Sequence, residues 1–250
     1  MWCAKLVYGA TVAFLLEIYS RDPSLMPPQS DDDNLLPRSS TPLNDDTTSK
    51  TSPLGSDFDP YKSSRFVGHS LWMIPTGTAL KAYDDIVGAT AHELDTFHFV
   101  PHVTLVAAIM SPIDQVIERT RHLATLLSPY EFELDDLSQK DAYFQCVFAT
   151  MKRTEAVVNA NAVARQVFAE KQSDPPYMPH LSLLYGDFEY DRKVNEIIPK
   201  LRQQLQERAP DSLRLPVDAI EIWSTQGDVK EWYLVERVPL TGPKQEHPIS

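Results

Sequence analysis

Cysteine is scarce: the chain's 250 residues include two, Cys3 and Cys146. Two cysteines make neither a disulfide framework nor a cysteine-based zinc set, and they leave the redox compartment unspecified. Apolar runs of membrane length are also missing. The run Leu6 to Ile18 is 13 residues long and carries Glu17, whereas a spanning helix needs roughly 17 or more. Positive charge is short as well. Lys and Arg number 23 against 35 Asp and Glu, a net charge of −12. Tight binding to long RNA or DNA rests on many cationic phosphate contacts, so that class of partner is disfavoured. A small anionic substrate held in a local pocket is not. What the chain does have is 42% apolar residues, enough for a sizeable core.

The N-terminal 1–20, with Lys5 ahead of its apolar run and no small-x-small cleavage site, reads as a weak signal or anchor segment, or as a dispensable extension. Residues 21–65 form an expected disordered linker. Positions 21–64 hold seven prolines and eight Asp against four Lys or Arg, with no apolar period. Such a segment buries too little surface to offset its ordering entropy. A folded domain is expected over 66–241 and a flexible tail over 242–250.

Within the domain, strands are predicted at "SLWMIP", "HVTLVAAI", "EFELDDL", "AYFQCVFAT", "HLSLLY", "LPVDAIEIW" and "EWYLVERVPL". Amphipathic helices are predicted over 78–94, 113–127, 153–170 and 191–206. The order β-α-β-α-β thus occurs twice. This is an α+β arrangement of two pseudo-symmetric lobes, with antiparallel or mixed sheets around a central cleft.

One heptapeptide pattern sits in the middle strand of each half: "FVPHVTL" around His102 and "YMPHLSL" around His180. Alternation along a strand places His102 and Thr104 on one face and His180 and Ser182 on one face, with the apolar residues behind them. Pro101 and Pro179 disfavour helix just before each His. Where the halves face each other, two imidazoles and two hydroxyls converge. Imidazole titrates near neutral pH, so one ring can serve as acid and the other as base. Hydroxyl donors suit the oxygens of a tetrahedral phosphate. Two His are too few to hold a metal, and no carboxylate keeps a fixed spacing to both, so neither a metal nor a cofactor is expected. The other histidines, at 69, 92, 98, 122 and 247, have no repeated setting.

With those residues in place, the chain resembles the 2H phosphoesterases, which carry two H-x-[ST]-apolar motifs. "FVPHVTL", "YFQCVF" and "PPYMPHLSLLYGD" resemble the plant and fungal cyclic phosphodiesterases, over about residues 69–240. The resemblance implies a bilobal fold with a central cleft. It also implies metal-independent hydrolysis of nucleoside 2′,3′-cyclic phosphates to 2′-phosphates, and of ADP-ribose 1″,2″-cyclic phosphate, a tRNA-splicing by-product, to the 1″-phosphate. By matching motif it assigns His102 and His180 as acid and base, Thr104, Ser182 and Tyr185 to the phosphate, and Trp72 to stacking on the substrate. Which His is the acid stays open.

The residues leave two readings for Tyr185: five positions after His180 it alternates away from the cleft, and it reaches the site where the strand ends, near Gly186. Trp72 reads equally as a stacking surface or a core residue, while Trp223 and Trp232 read as core. The expected partner is a small cyclic-phosphate nucleotide. No stable membrane insertion is expected, the protein is expected to be a monomer, and its location is endomembrane (Golgi) or cytoplasmic. RNA-end processing and a nucleotide-binding module without turnover are the competing functions.

Overall fold

A computed structural model of the protein describes residues 63–169, 176–209 and 213–243. The expected N-terminal extension lies outside the described residues, as do nearly all of the expected linker and most of the tail. The described fold is α+β. Its elements run β1 (Arg65–Phe66), β2 (His69–Met73), α1 (Gly77–Leu94), β3 (Val103–Ile109), α2 (Ile113–Leu126), β4 (Tyr130–Gln139), β5 (Val147–Met151), α3 (Glu155–Val167) and β6 (His180–Leu184). A last helix, α4, is α over Tyr190–Arg192, widens to π over Lys193–Ile197 and returns to α over Ile198–Arg208. Strands β7 (Arg214–Val217), β8 (Ala219–Ser224), β9 (Gly227–Asp228) and β10 (Tyr233–Pro239) follow.

Eight strands make one sheet, ordered β10-β8-β2-β3-β6-β5-β4-β7, with every pairing antiparallel. The two lobes are its two halves, and they meet at β3 and β6. That junction is narrow, because the two strands share a single registered pair, Val103 with Leu181. Side chains add to this short ladder. The Tyr177 hydroxyl donates to the Thr104 carbonyl at 2.8 Å, and Asn161 Nδ2 donates to the Leu105 carbonyl at 2.7 Å. A Tyr177→Phe chain leaves the Thr104 carbonyl without its donor. A loss of about 1 kcal/mol in urea-unfolding stability is expected, the cost of removing the donor from a part-buried acceptor; an unchanged midpoint would show that this clasp contributes nothing.

The halves of the sequence are interwoven rather than stacked as separate lobes. Helix α1, from the first half, packs on β6, β7 and α4, while α3, from the second half, packs on β3, α2 and β4. The predicted strand at 215–223 divides at Asp218: β7 pairs with β4 in one lobe and β8 with β2 in the other. Each lobe is therefore completed by the other half of the chain. The core between sheet and helices is filled by Leu71, Ile86, Val103, Leu123, Phe132, Leu181 and Ile222, all fully buried.

Two other predicted elements differ. The π segment sits just before Pro199, which has no N–H to donate, so the ladder re-registers there. "AYFQCVFAT" is a strand only from Val147, because Tyr143–Gln145 form a 3₁₀ turn. At the N-terminal edge, Arg65, expected in the linker, belongs to β1, pairs with Asp228 in β9 and holds its carboxylate at 3.0 Å. At the other end Thr241 and Gly242, the latter expected in the flexible tail, donate their N–H groups to the Ala124 and Leu127 carbonyls.

Candidate active site

The doubled heptapeptide faces itself across the lobe junction. Continuing the antiparallel register outward from Val103–Leu181 sets His102 opposite Ser182 and Thr104 opposite His180. The two His thus stand on a diagonal, with backbones about 7–8 Å apart. Each motif supplies one imidazole and one hydroxyl, and each imidazole neighbours the hydroxyl of the other motif.

Pro has a second role that strand alternation alone does not reveal. It fixes the chain so that the carbonyl two residues before each His meets the ring. His102 Nδ1 donates to the Val100 carbonyl at 2.6 Å, and His180 Nδ1 donates to the Met178 carbonyl at 3.0 Å. A carbonyl only accepts, so each Nδ1 carries the proton, and each neutral ring presents Nε2 with its lone pair. The repeated apolar-Pro-His sequence therefore encodes the same tautomer twice. The aromatic residue that opens each copy clasps the other copy. Phe99 stacks on Tyr185, centroids 3.8 Å apart, and Tyr177 bonds to Thr104.

Desolvation decides the charge of both rings, His102 being buried and His180 half-buried. Desolvation holds the pKa of His102 down to about 3, against the pull of its Val100 bond and with a further push from His180. His180 is lowered to about 4, again chiefly by desolvation, with the Lys140 charge adding to it. Both imidazoles are neutral at pH 7, and an anion placed between them would favour a proton on either ring.

Ser182 donates to the Phe144 carbonyl at 3.1 Å, with the Tyr185 hydroxyl as its neighbour. Strand β6 ends at Leu184, which frees Tyr185 from strict alternation, and the Gly186 N–H then bonds the Tyr143 carbonyl. Tyr185 is 3% exposed: it reaches Ser182 from below rather than from an open face. The Thr104 hydroxyl has no hydrogen-bond partner among the described residues.

Trp72 lies flat on the His102 ring, centroids 3.5 Å apart and planes 8° from parallel. On the neighbouring strand Trp223 stacks against it at 4.6 Å. The register β3-β2-β8 places these rings on opposite sides of Trp72. Both of its faces are covered and it is 3% exposed, so the expected open surface for substrate stacking is not present. Trp223 and Trp232, expected in the core, are both half-buried; Trp232 packs against the core as expected, while Trp223 lies outside it. Trp232 stands edge-on to Trp72 and packs on Phe144, Phe66 and Tyr185. One aromatic wall thus joins both lobes beside the His pair.

Two polar residues at the site had no repeated setting to mark them in the sequence. The 3₁₀ turn at 143–145 points Gln145 at His180, Nε2 to Nε2, at 3.4 Å. Lys140 Nζ donates to Gln145 Oε1 at 2.9 Å, and the buried Lys193 donates to the Lys140 carbonyl at 2.8 Å. Among the described residues no group of three or more His, Cys, Asp or Glu is placed to hold a metal ion. None of the described helices is long and apolar enough to cross a membrane.

The sequence profile of the family described as "Cyclic phosphodiesterase-like protein" matches residues 67–240. The chain belongs to that family. Membership makes it a 2H phosphoesterase and supports a phosphodiesterase activity. A curated relative, the cyclic phosphodiesterase of Arabidopsis thaliana, is 29% identical over 127 residues, covering 51% of this chain and 70% of the relative. Among solved structures, E. coli LigT complexed with 3′-AMP aligns at a TM-score of 0.46 and 13% identity, over 72% of this chain and 99% of that one. The Thermus thermophilus protein TT0787 aligns at 0.47 and 14%, over 70% and 99%.

Proposed function

We propose that this family member hydrolyses nucleoside 2′,3′-cyclic phosphates to 2′-phosphates without a metal ion, and opens ADP-ribose 1″,2″-cyclic phosphate to the 1″-phosphate in the same way. The observation that carries this reading is the diagonal His pair with both Nδ1 atoms locked, which leaves two Nε2 atoms flanked by the hydroxyls of Thr104 and Ser182. One ring takes a proton from water as its oxygen attacks phosphorus. The other gives a proton to the ester oxygen that leaves, and the ring of the cyclic phosphate opens. Thr104 and Ser182 hold the non-bridging oxygens, where charge accumulates. Ser182 turns its proton from Phe144 to the phosphate. Trp72 fixes the plane of the His102 ring instead of stacking on substrate. The acidic surface favours a small nucleotide over a long strand.

The test is hydrolysis of a 2′,3′-cyclic mononucleotide and of ADP-ribose 1″,2″-cyclic phosphate in the presence of excess chelator, with products resolved by phosphorus NMR. Full activity in chelator, with the 2′-monoester as nucleoside product, is expected. Activity lost in chelator and restored by a divalent ion would contradict the reading. So would strong preference for an oligonucleotide ending in a cyclic phosphate, which would move the substrate class to RNA ends.

A further inference from the structure

The two motifs match in sequence but not in what surrounds their Nε2 atoms. His180 Nε2 faces an amide donor, and the orientation of that amide is fixed from behind. A lysine ammonium only donates, so Lys140 selects Oε1 of Gln145 and turns the NH₂ group toward His180. Lys140 is itself anchored: its N–H donates to the Gln145 carbonyl at 3.0 Å, and its carbonyl takes the Lys193 ammonium. His102 Nε2 has no partner among the described residues, and its ring lies on an indole face.

We propose that Lys140 and Gln145 are positioning residues that keep Nε2 of His180 a proton acceptor, so that His180 takes the proton of the attacking water and His102 protonates the leaving oxygen. The inference rests on the hydrolytic reading above. An N–H aimed at Nε2 stabilises the ring that has a lone pair there and opposes the ring that has a proton there. The 3.4 Å contact is long for a nitrogen–nitrogen hydrogen bond. A water that enters takes over the amide N–H on its oxygen and gives its own proton to Nε2, so the amide also aims the nucleophile.

The step balances. The water oxygen forms a bond to phosphorus, and its proton passes to His180 Nε2. The bond from phosphorus to one ring oxygen breaks, with the electron pair on that oxygen, which takes the proton from His102 Nε2. Solvent exchange then resets both rings. The indole face of Trp72 favours the cationic form of His102 that this step requires.

The groups facing His180 from the elements around it are few. Lys140 and Gln145 come from the β4–β5 connection and His102 from the end of the β3 segment. On β5 Phe148 meets the ring edge-on, 5.1 Å between centroids, and Thr150 is the paired residue. Helix α1 packs against β6. Lys140 is the charged side chain whose field lowers the proton affinity of His180.

The test uses Lys140→Met and Gln145→Glu in the full chain. The protonation of each ring is followed by imidazole nitrogen NMR, with the two rings assigned through His102→Asn and His180→Asn. In Gln145→Glu a carboxylate accepts from a protonated Nε2. In Lys140→Met the amide is free to turn its oxygen there. Both variants are expected to raise the His180 midpoint by about one pH unit or more, Gln145→Glu the further, with that of His102 nearly unmoved. Relative to wild type, turnover of Gln145→Glu should fall by about twofold or more at pH 5 and recover toward pH 8. A His180 midpoint unmoved in both variants, or a loss equal at every pH, overturns the proposal. The failure of the hydrolytic reading is separately visible, because the wild-type chain would then leave cyclic phosphates intact while the ring titrations still report on the pair.

Discussion

His102→Asn and His180→Asn each lower turnover of the cyclic phosphate by about 10³–10⁴-fold, at the upper end of what a positioned acid or base contributes. Asparagine is the informative replacement. Its side-chain NH₂ stands where Nδ1–H stood, so the bond to the Val100 or Met178 carbonyl is retained. What disappears is Nε2, the atom assigned to the chemistry. The local backbone should therefore hold, and circular dichroism and the urea midpoint at pH 7.5 should stay close to wild type. The double variant should lose little beyond the worse single one, because residues that act as a unit are not additive. Near-normal turnover in either single variant contradicts a mechanism that uses both rings. A loss of fold would show as a shifted midpoint and is distinguished in that way.

The second large effect is on stability. Both rings have folded-state pKa values far below the ordinary histidine value of 6.5, about 3 for His102 and about 4 for His180, because burial penalises the imidazolium. Above pH 6.5 folded and unfolded chains alike keep these rings neutral, and they contribute no pH dependence. As pH falls below 6.5 the unfolded chain takes up two protons that the folded chain refuses, so stability falls. The loss continues until the folded rings titrate near pH 4 and 3. Between pH 7.5 and 5 it amounts to about 4 kcal/mol for the pair. The carboxylates whose pKa is depressed, Glu133 by its bond to Lys152 and Asp136 by the Leu137 N–H and Arg202, have the same sign. They act only below their unfolded values near 4, outside this window. Urea midpoints at the two pH values measure the effect, and the His102→Asn/His180→Asn double variant should lose most of it. A wild-type chain equally stable at pH 5 and 7.5 would mean that the rings are exposed.

Much of this molecule can be read in its sequence, and the parts that cannot share a physical reason. The element order is local and is legible: period-2 and period-3.6 apolar patterns mark every strand and helix that carries the site. The His-hydroxyl pairing follows from alternation along one strand. What escapes is non-local. Nothing in the pattern of α1 tells that it covers β6 rather than β3, since an apolar stripe fits either sheet face. Asp218 divides 215–223 between the two lobes because β7 closes the edge beside β4 while β8 fills the place between β2 and β10, a demand set by the whole fold.

The site shows the same division. "AYFQCVF" has the composition of a strand, yet its first residues turn, because Ser182 and Gly186, from β6 and just after it in the same lobe, bond to the Phe144 and Tyr143 carbonyls. That turn delivers Gln145, whose residue type carries no catalytic signal by itself. Lys193 reads as a surface lysine on a polar helix, and it is 2% exposed, because the π turn rotates it toward the Lys140 carbonyl. Trp72 is ambiguous in sequence, and the strand order resolves it: a ring between His102 and Trp223 has no open face. The aromatic that begins each heptapeptide acts on the opposite copy, a role visible only once the copies are paired.

The most direct test of the account is a crystal structure with a nucleoside 2′-monophosphate bound. The account predicts one phosphate within hydrogen-bond distance of Nε2 of both His102 and His180, with oxygens on the hydroxyls of Thr104 and Ser182. A phosphate bound by one motif alone, or seated away from the β3–β6 junction, would contradict it.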